Sequence, residues 1–274
     1  MALSDLKKAL HWGAFFVFWL TAQSVLADYC SMPGIGQQVV SKQVIDGDTL
    51  DLVDGRRVRL IGINTPEIGR HGEASEPYAQ AARKELLRLV RDTDLRLVVG
   101  EEPQDRYGRT LGHLFDADGA NIEARLLRQG LGFTVAIPPN LLLLNCQLQQ
   151  EKHARMQRLG VWRDNPVRAA SQVSAGGFQL VRGRIEKISR TASHVWMDLD
   201  GPLTLRLPIG LVGSEDVAGW KGRQLEVRGW VIDRGQVRRG QKRYMLPVPE
   251  WRLITLERDR QELCGQAQRP ACGG

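Results

Sequence analysis

The chain has 274 residues, which is enough for one large domain or two small ones. Its cysteines form no Cys-x-x-Cys pair and its five histidines are scattered, so a structural zinc site is not expected. The formal net charge of +7 is unevenly distributed. Residues 28–171 carry 19 basic and 19 acidic side chains, whereas residues 172–260 carry 16 basic and 10 acidic ones, so a polyanion would be attracted to the C-terminal part.

The N-terminus has the pattern of a secretory signal peptide. Lys7 and Lys8 precede an apolar run over residues 9–20, and a stretch that ends at Ala27 offers small residues to a signal peptidase. An uncleaved membrane anchor is the alternative, but the run is short for a membrane span, which needs about 20 residues. We therefore expect residues 1–27 to be removed and the protein to be exported, to a periplasm or to the medium.

Four cysteines in an exported chain suggest disulfide bonds. Cys264 and Cys272 lie close together in a glycine-rich tail, residues 261–274, and are predicted to pair. Cys30 and Cys146 would then pair with each other and tie the start of the first domain to its last helix. Three connectivities are possible for four cysteines, and the sequence does not choose among them.

The first half of the chain predicts a small β-barrel with helices packed on it. Between residues 37 and 63 apolar and polar residues alternate, and Asp54-Gly55 marks a hairpin turn. The elements that follow are strands over 95–99 and 110–115 and helices over 75–91, 122–129 and 140–159, with Ser75, Gly130 and Gly160 as end signals. This order is typical of a five-stranded OB-fold barrel, so the predicted fold class is mainly β with helices, or α+β.

The second half predicts a separate all-β domain. A polar stretch over residues 165–177 has the composition of a linker. Six short strands then recur with little sign of helix, which favours another small barrel, OB-like in one interpretation. The predicted strands are 180–188, 194–199, 203–207, 224–231, 244–248 and 252–256. The predicted parts are the signal peptide 1–27, the first domain 28–164, the linker 165–177, the basic accessory domain 178–260 and the tail 261–274.

An acidic turn at Asp46-Gly47-Asp48 is the first candidate for chemistry. The two aspartates alternate around glycine, so an extended backbone would send both carboxylates to the same side. Oxygen ligands without cysteine or histidine favour Ca²⁺ or Mg²⁺. Taken alone, the turn is more typical of two solvated aspartates, because Asp and Gly are ordinary turn residues.

Three residue strings place this turn in a wider pattern. They are DGDT over residues 46–49, RLIGINTPE over 59–67 and DRYGR over 105–109. These strings closely resemble the staphylococcal nuclease (thermonuclease) family, and the resemblance runs from Gln37 to Trp162. It implies an OB-fold barrel, in agreement with the order of elements, and a metal-assisted phosphodiesterase.

The resemblance implies a metal site built from oxygen atoms. Asp48 and Asn64 would be ligands, together with the backbone carbonyl of Thr65, and Asp46 would act through a water molecule. The implied metal is Ca²⁺, with Mg²⁺ or another divalent metal as the alternative. The family has an aspartate where this chain has Asn64, so one negative charge is missing and we expect weaker Ca²⁺ binding or a broader choice of metal.

The resemblance also implies the catalytic groups. Arg59 and Arg109 would clamp the scissile phosphate, because guanidinium groups bind phosphate oxygens in pairs and are always charged. Glu67 would be the base that activates water. The implied reaction is hydrolysis of DNA, RNA or both with little sequence preference, leaving 3′-phosphate ends.

Two observations keep a rival interpretation open. Asn64 weakens the metal site, and the family's aromatic pair for the substrate base has no match in residues 133–138, where Phe133 is the single aromatic residue and is expected in the core. A catalytically weak or inactive OB-fold protein that binds nucleic acid is therefore the alternative. Arg59, Glu67 and Arg109 argue against it, because binding alone does not need the glutamate.

A basic stretch in the second domain is a candidate for nucleic-acid binding. Its members are Arg234, Arg238, Arg239, Lys242 and Arg243. With Tyr244 adjacent and Trp230 nearby, they would form a hairpin loop that grips phosphates and stacks on bases. The alternative is a solvated turn beside core tryptophans. No protein partner is implied, and a membrane would be involved only if the N-terminal segment stayed uncleaved.

Overall fold

The computed structural model describes residues 30–69, 72–212 and 217–257. The predicted signal peptide and the predicted Cys264–Cys272 pair lie outside these residues. Among the helices of the described ranges, none is long and apolar enough to cross a membrane.

The first part of the chain forms a closed barrel. Its strands are β1 (Gln37–Val39), β2 (Ser41–Val44), β3 (Thr49–Leu52), β4 (Arg57–Leu60), β5 (Ile63–Asn64), β6 (Leu95–Gln104), β7 (Thr110–Phe115) and β8 (Phe133–Thr134). Its helices are α1 (Ala79–Val90), α2 (Ile122–Arg128) and α3 (Leu144–Met156). The main sheet has the order β1-β6-β7-β4-β3-β2, in which β4 and β7 are parallel. Only Val40 separates β1 from β2, so together they act as one strand that closes a five-stranded OB-fold barrel, as predicted.

Alternating apolar residues explain why these strands close around a core. Leu50, Leu52, Val58 and Leu60 point inward and are fully buried, while the residues between them face outward. Helix α1 packs Leu86 and its apolar neighbours against the same core. The barrel therefore leaves one outer face of β3 and β4 available for polar side chains.

The helix boundaries differ from prediction where side chains have partners outside the helix. The sequence predicts that Ser75 caps α1, but Ser75 Oγ accepts a hydrogen bond from Gly69 N, and the helix begins at Ala79 after Tyr78. The sequence predicts that the last helix begins at Asn140. The Asn140 amide instead bonds both backbone groups of Glu102, so the helix begins at Leu144.

The predicted Cys30–Cys146 disulfide is present, and it joins residues 116 positions apart. Cys30 is buried among Phe115, Ala124 and Leu143. The bond therefore ties the segment before β1 to helix α3.

Replacing Cys30 and Cys146 together by serine is expected to lower the free energy of unfolding by about 2–4 kcal/mol, because the bond restricts a long loop in the unfolded chain. Urea unfolding followed by circular dichroism measures the change. The pair Cys264→Ser and Cys272→Ser is the matched control. A loss below about 0.5 kcal/mol at Cys30 and Cys146 would contradict a stabilising role for this bond.

The second part of the chain is a second closed barrel. Its elements are β9 (Val167–Ala169), β10 (Gly177–Arg190), β11 (His194–Leu199), β12 (Leu203–Pro208), α4 (Ile209–Val212), β13 (Gln224–Asp233), β14 (Tyr244–Pro247) and β15 (Ile254–Leu256). The first half of β10 pairs with β13 and its second half with β11, while β12 and β14 are parallel. The five strands β10 to β14 thus repeat the pairing of the first barrel, with α4 after the third strand.

The segment predicted as a linker packs with this second barrel. Strand β9 pairs in parallel with β10, and Ala170 and Val173 are buried in the second core. The polar residues between them suggested a loose connection, but the buried apolar positions fix the segment to the sheet.

The two barrels share an interface. Ala136 and Leu144 of the first barrel belong to the core of the second. A chain of aromatic rings also crosses the interface, with centroid distances of 5.4 Å, 5.6 Å and 5.2 Å for Phe133–Trp162, Phe133–Phe178 and Phe178–Trp230. Two ion pairs, Arg228–Glu151 and Arg155–Glu226, join strand β13 to helix α3. The second barrel is therefore docked on α3 and β8.

Candidate active site

The acidic turn lies between β2 and β3 and is held by the loop after β5. Asp48 is 5 % exposed, and its Oδ2 accepts hydrogen bonds from Thr65 N at 2.8 Å and Thr65 Oγ1 at 3.0 Å. Thr49 Oγ1 donates to Asp48 Oδ1, and Asp48 N donates to Asp46 Oδ1 at 3.0 Å. Two strings far apart in sequence therefore meet at Asp48.

Gly47 allows this turn to lie close to its neighbours. A Cβ atom at this position would lie 2.6 Å from the Cβ of Ala82 and 2.7 Å from Thr65 Oγ1. Glycine is needed here because of this close approach to α1 and to Thr65.

The charges at the turn favour a cation. Burial, and after it the charge of Asp48, raises the pKa of the Asp46 carboxyl above its ordinary value. Partial burial, followed by the charges of Asp48 and Asp46, also raises the pKa of Glu67. Three acids therefore share a region of negative potential that a bound cation would relieve.

The available ligands fit a hard divalent cation, with less charge than a three-carboxylate site. Asp46 and Asp48 offer carboxylates, and Asn64 offers an amide oxygen at the end of β5. In the described parts of the chain, no group of three or more His, Cys, Asp and Glu side chains is placed to hold a metal. The three candidate side chains offer only oxygen atoms, and Asn64 contributes no charge.

Arg59 projects from β4 into the same cluster. Its Nε lies 3.1 Å from Asp48 Oδ1, and its Nη2 lies 3.4 Å from Asn64 Oδ1. Its Nη1 donates to the carbonyl oxygens of Leu60 and Ile63 at 2.7 Å and 2.8 Å. The side chain is 16 % exposed, so the guanidinium is fixed beside both side chains predicted to bind metal.

Arg109 lies in the loop just before β7, and among the described residues its side chain has no hydrogen bond or ion pair with this cluster. Its Nε forms an ion pair of 2.7 Å with Asp105, which closes the turn before β7. Arg59 pairs in register with Leu111, so Arg109 lies two residues earlier on the same face. Standard strand spacings put the Cα atoms of Arg59 and Arg109 about 8 Å apart, which suits two guanidiniums that bind one phosphate.

An open cavity of about 600 Å³ lies beside Arg109 on this face. Its lining residues are Lys42, Asp51, Leu52, Gly55, Arg57, Tyr107, Gly108 and Arg109. The Tyr107 side chain is 69 % exposed there. The lining therefore includes three basic side chains, one acid and one aromatic ring.

Glu67 lies on the loop after β5. In the described part of the site its carboxylate has no hydrogen bond or ion pair. Its backbone is held instead, because Glu67 N donates to Glu76 Oε2 at 2.8 Å and Glu76 N donates to Glu67 O at 2.9 Å. The supports of this loop, Glu76 and Ser75, could not be identified from the sequence, since nothing in their spacing distinguishes them from solvated loop residues.

The predicted basic loop of the second barrel joins β13 and β14, and much of its charge is paired. Arg243 forms an ion pair with Asp233 at 2.7 Å, and Lys242 forms one with Glu186 at 3.0 Å. Arg234 donates to the backbone oxygen of Lys242. Trp230, predicted to be available for stacking, is 40 % exposed, and its ring lies 5.2 Å from that of Phe178.

Comparison with known proteins points to one family. Residues 57–164 match the profile of the family described as Staphylococcal nuclease homologue. The Thermonuclease of Staphylococcus intermedius is 35 % identical over 130 residues, which is 46 % of this chain and 77 % of that protein. The Micrococcal nuclease of Shigella flexneri is 32 % identical over 44 % of this chain and 71 % of its own length. The Endonuclease YncB of Bacillus subtilis is 29 % identical over 45 % of this chain and 61 % of its own length.

Proposed function

This chain belongs to the staphylococcal nuclease family, and we propose that it is an exported, Ca²⁺-dependent nuclease that hydrolyses DNA, RNA or both with little sequence preference. We further propose that it leaves 3′-phosphate ends. The observation that carries the proposal is the position of Arg59, whose guanidinium contacts both Asp48 and Asn64. A phosphate drawn to a cation at these two residues would meet that guanidinium.

Nucleases of this family generally depend on a divalent metal. Asp48, Asn64 and the Thr65 carbonyl would hold it here, with Asp46 acting through water. When bound, the metal supplies a Lewis acid that stabilises negative charge on the phosphoryl oxygens. Mg²⁺ or another divalent metal is the alternative to Ca²⁺, because the donor set is all oxygen.

The protein side chains have separate tasks in the proposed reaction. Arg59 and Arg109 bind the phosphoryl oxygens and stabilise the charge that develops on them as water attacks. Glu67 accepts the proton of the attacking water, since its carboxylate is not engaged elsewhere in the described site. Asp105 keeps the Arg109 guanidinium beside the outer face of β4.

Digestion of single-stranded DNA by the purified protein tests the proposal. We expect cleavage with Ca²⁺, none with a chelator, and near-complete loss in Glu67→Gln. The matched control is Glu73→Gln, an exposed acid in the same loop that should keep native activity. Products that a polymerase extends only after phosphatase treatment would carry 3′-phosphates.

A folded protein that binds DNA but cleaves nothing with any divalent metal would contradict the proposal. That result would favour the weak or inactive nucleic-acid-binding protein instead.

Export is tested separately, by the N-terminus of the mature protein. Mass spectrometry of the processed protein should show a chain that begins at Asp28, whereas an intact N-terminus in the membrane fraction would indicate an anchor.

Replacing Asn64 by aspartate is expected to tighten Ca²⁺ binding at least about tenfold, because a third carboxylate adds attraction and about 1.4 kcal/mol already corresponds to a factor of ten. Isothermal titration of the metal-free protein measures the change. Asn165→Asp, at an exposed position away from the turn, adds the same charge and should leave the affinity unchanged. Equal affinities of the native protein and Asn64→Asp would remove Asn64 from the ligand set.

A further inference from the structure

The loop between the fourth and fifth strands has the same construction in both barrels. In the first barrel it is residues 105–109, and Arg109, just before β7, forms an ion pair of 2.7 Å with Asp105. In the second barrel it is residues 234–243, and Arg243, just before β14, forms an ion pair of 2.7 Å with Asp233. The basic loop of the second barrel therefore occupies the place that holds Arg109 in the first.

In the described residues of the second barrel, the position that corresponds to Arg59 holds no arginine. In the first barrel Val58 pairs with the first residue of β7, and Arg59 follows it on the outer face. In the second, Leu203 pairs with the first residue of β14, so Thr204 takes the place of Arg59. The second barrel therefore does not repeat the phosphate clamp of Arg59 and Arg109 at this place.

An aromatic and a basic side chain lie side by side on the outer face of β11 and β12. Trp196 pairs in register with Arg206, while the residues on either side of each belong to the core. The ring of His194 lies 6.1 Å from that of Trp196. Within the described residues, the Arg206 guanidinium has no hydrogen bond or ion pair. Both side chains are half-buried and reach solvent.

Two of the acids near this face form ion pairs with the basic loop. Asp233 and Glu186 form ion pairs with loop residues, whereas Asp198 of β11 lies opposite Lys187 in the sheet and forms no ion pair among the described residues. Arg238 and Arg239 are exposed, and in the part of the chain that is described their guanidiniums have no partner. Positive charge therefore remains at the loop.

The basic loop, residues 234–243, also contacts one end of the outer face of β11 and β12. Tyr244 N, at the end of the loop, donates a hydrogen bond of 2.9 Å to Pro202 O in the turn between β11 and β12. A ligand that lies along β11 and β12 would reach the loop at that turn.

We propose that the outer face of β11 and β12, together with loop 234–243, binds single-stranded nucleic acid. Trp196 stacks on a base, and Arg206, Arg238 and Arg239 bind phosphates. OB-folds bind oligonucleotides through the face of the second and third strands and the loop between the fourth and fifth. A basic surface alone would suit any polyanion, but a tryptophan beside an unpaired arginine suits a ligand that alternates flat bases with phosphates.

Binding to a fluorescein-labelled oligodeoxythymidylate, measured by anisotropy in chelator so that it is not cleaved, tests the proposal on the full chain. Inorganic polyphosphate, which has charge without bases, is the competing probe. We expect Trp196→Ala to weaken binding of the oligonucleotide at least about fivefold and to leave binding of polyphosphate unchanged. Trp196→Phe should keep most of the affinity, which separates stacking from a folding defect.

Replacing the two exposed arginines of the loop should affect binding in a different way from Trp196→Ala. Arg238→Ala with Arg239→Ala should weaken both probes and lower the slope of log affinity against log salt by about 1.4, which is two phosphate contacts on a single strand. The matched control is Arg163→Ala with Arg168→Ala, which removes the same charge from exposed positions elsewhere.

Three results would overturn the proposal. They are unchanged oligonucleotide binding in Trp196→Ala, an equal loss on both probes in that variant, or a double arginine variant that matches its control. Hydrolysis of a dinucleotide, which is too short to span both barrels, is measured in parallel. It should be unchanged in every variant, so failure of the binding proposal is distinguishable from failure of the nuclease proposal.

Discussion

Replacing Arg59 by alanine is expected to lower the turnover number about a hundredfold or more, because one preorganised donor to a developing oxyanion contributes that much. The donor is preorganised here, since its Nη1 is held by two backbone carbonyls and its Nε by Asp48. Steady-state kinetics on single-stranded DNA at saturating metal measure the change. A loss below tenfold in a folded variant would remove Arg59 from the mechanism.

Two further variants separate catalysis from structure. Arg59→Lys keeps the charge but loses the paired geometry of the guanidinium, so a large loss of turnover is expected there as well. Arg56→Ala is the matched control, because its guanidinium pairs with Asp54 and Gln37 in the hairpin turn, away from the acidic turn. It should keep native turnover and melting temperature.

Arg109→Ala is expected to lower turnover by a similar factor for a different structural reason. Arg109 is more exposed than Arg59, and its guanidinium is held by an ion pair with Asp105 and lies 5.6 Å from the centre of the Tyr107 ring, outside the acidic turn. Kinetics at high and low substrate should show a larger effect on turnover than on the Michaelis constant. An effect confined to the Michaelis constant would make Arg109 a binding residue only.

Local signals in the sequence predicted the first barrel well. The alternation of apolar residues and the turn at Asp54-Gly55 identified the strands around β3 and β4. Helix α2 begins and ends close to prediction, because Asn121 caps it and Gly130 follows it with a positive φ of 70°. These signals depend on residues a few positions apart, so they can be read from the sequence alone.

The errors of prediction come from contacts between distant residues. Asn140 bonds to Glu102, 38 positions away, and Lys242 pairs with Glu186, 56 positions away. No local sequence pattern indicates such partners. For the same reason the sequence did not single out Trp196, which lies on an outer face in register with Arg206.

The three site strings could be recognised in the sequence because they are short and occur in a fixed order. The relative positions of their side chains could not be predicted from it. Resemblance implied that Arg59 and Arg109 act as a pair. In the structure different residues hold the two side chains. Asp48 of the acidic turn pairs with Arg59, and Asp105 of the loop before β7 pairs with Arg109. The difference matters because Arg59 shares its contacts with the residues predicted to bind metal, whereas Arg109 does not.

The second large effect is expected at the interface between the barrels. Glu151 is 3 % exposed, and its Oε1 accepts hydrogen bonds from Arg228 Nη1 at 2.6 Å and from Thr134 N at 3.0 Å. Arg228 is itself 12 % exposed. Arg228→Met would leave a buried carboxylate without its counter-charge, which typically costs about 3–5 kcal/mol.

Calorimetry and urea unfolding of Arg228→Met measure this cost. Arg182→Met is the matched control, because Arg182 is 35 % exposed and its contact with Glu226 is 3.4 Å long, so a loss of about 1 kcal/mol or less is expected. The double variant Arg228→Met and Glu151→Leu removes both charges and should recover part of the stability. Equal losses in Arg228→Met and Arg182→Met would contradict the role of the buried pair.

The same substitution should reach the metal site, because Thr134 belongs to β8, and Phe133 of that strand pairs in register with Asn64. Without Arg228, Glu151 keeps its hydrogen bond to Thr134 of β8 but loses the ion pair that fixes its own carboxylate. Asn64, which pairs with this strand, should then be held less firmly. We therefore expect Arg228→Met to weaken Ca²⁺ binding as well as stability, and Arg182→Met to leave it unchanged. Native Ca²⁺ affinity in a destabilised Arg228→Met protein would show that the second barrel contributes to stability without positioning the site.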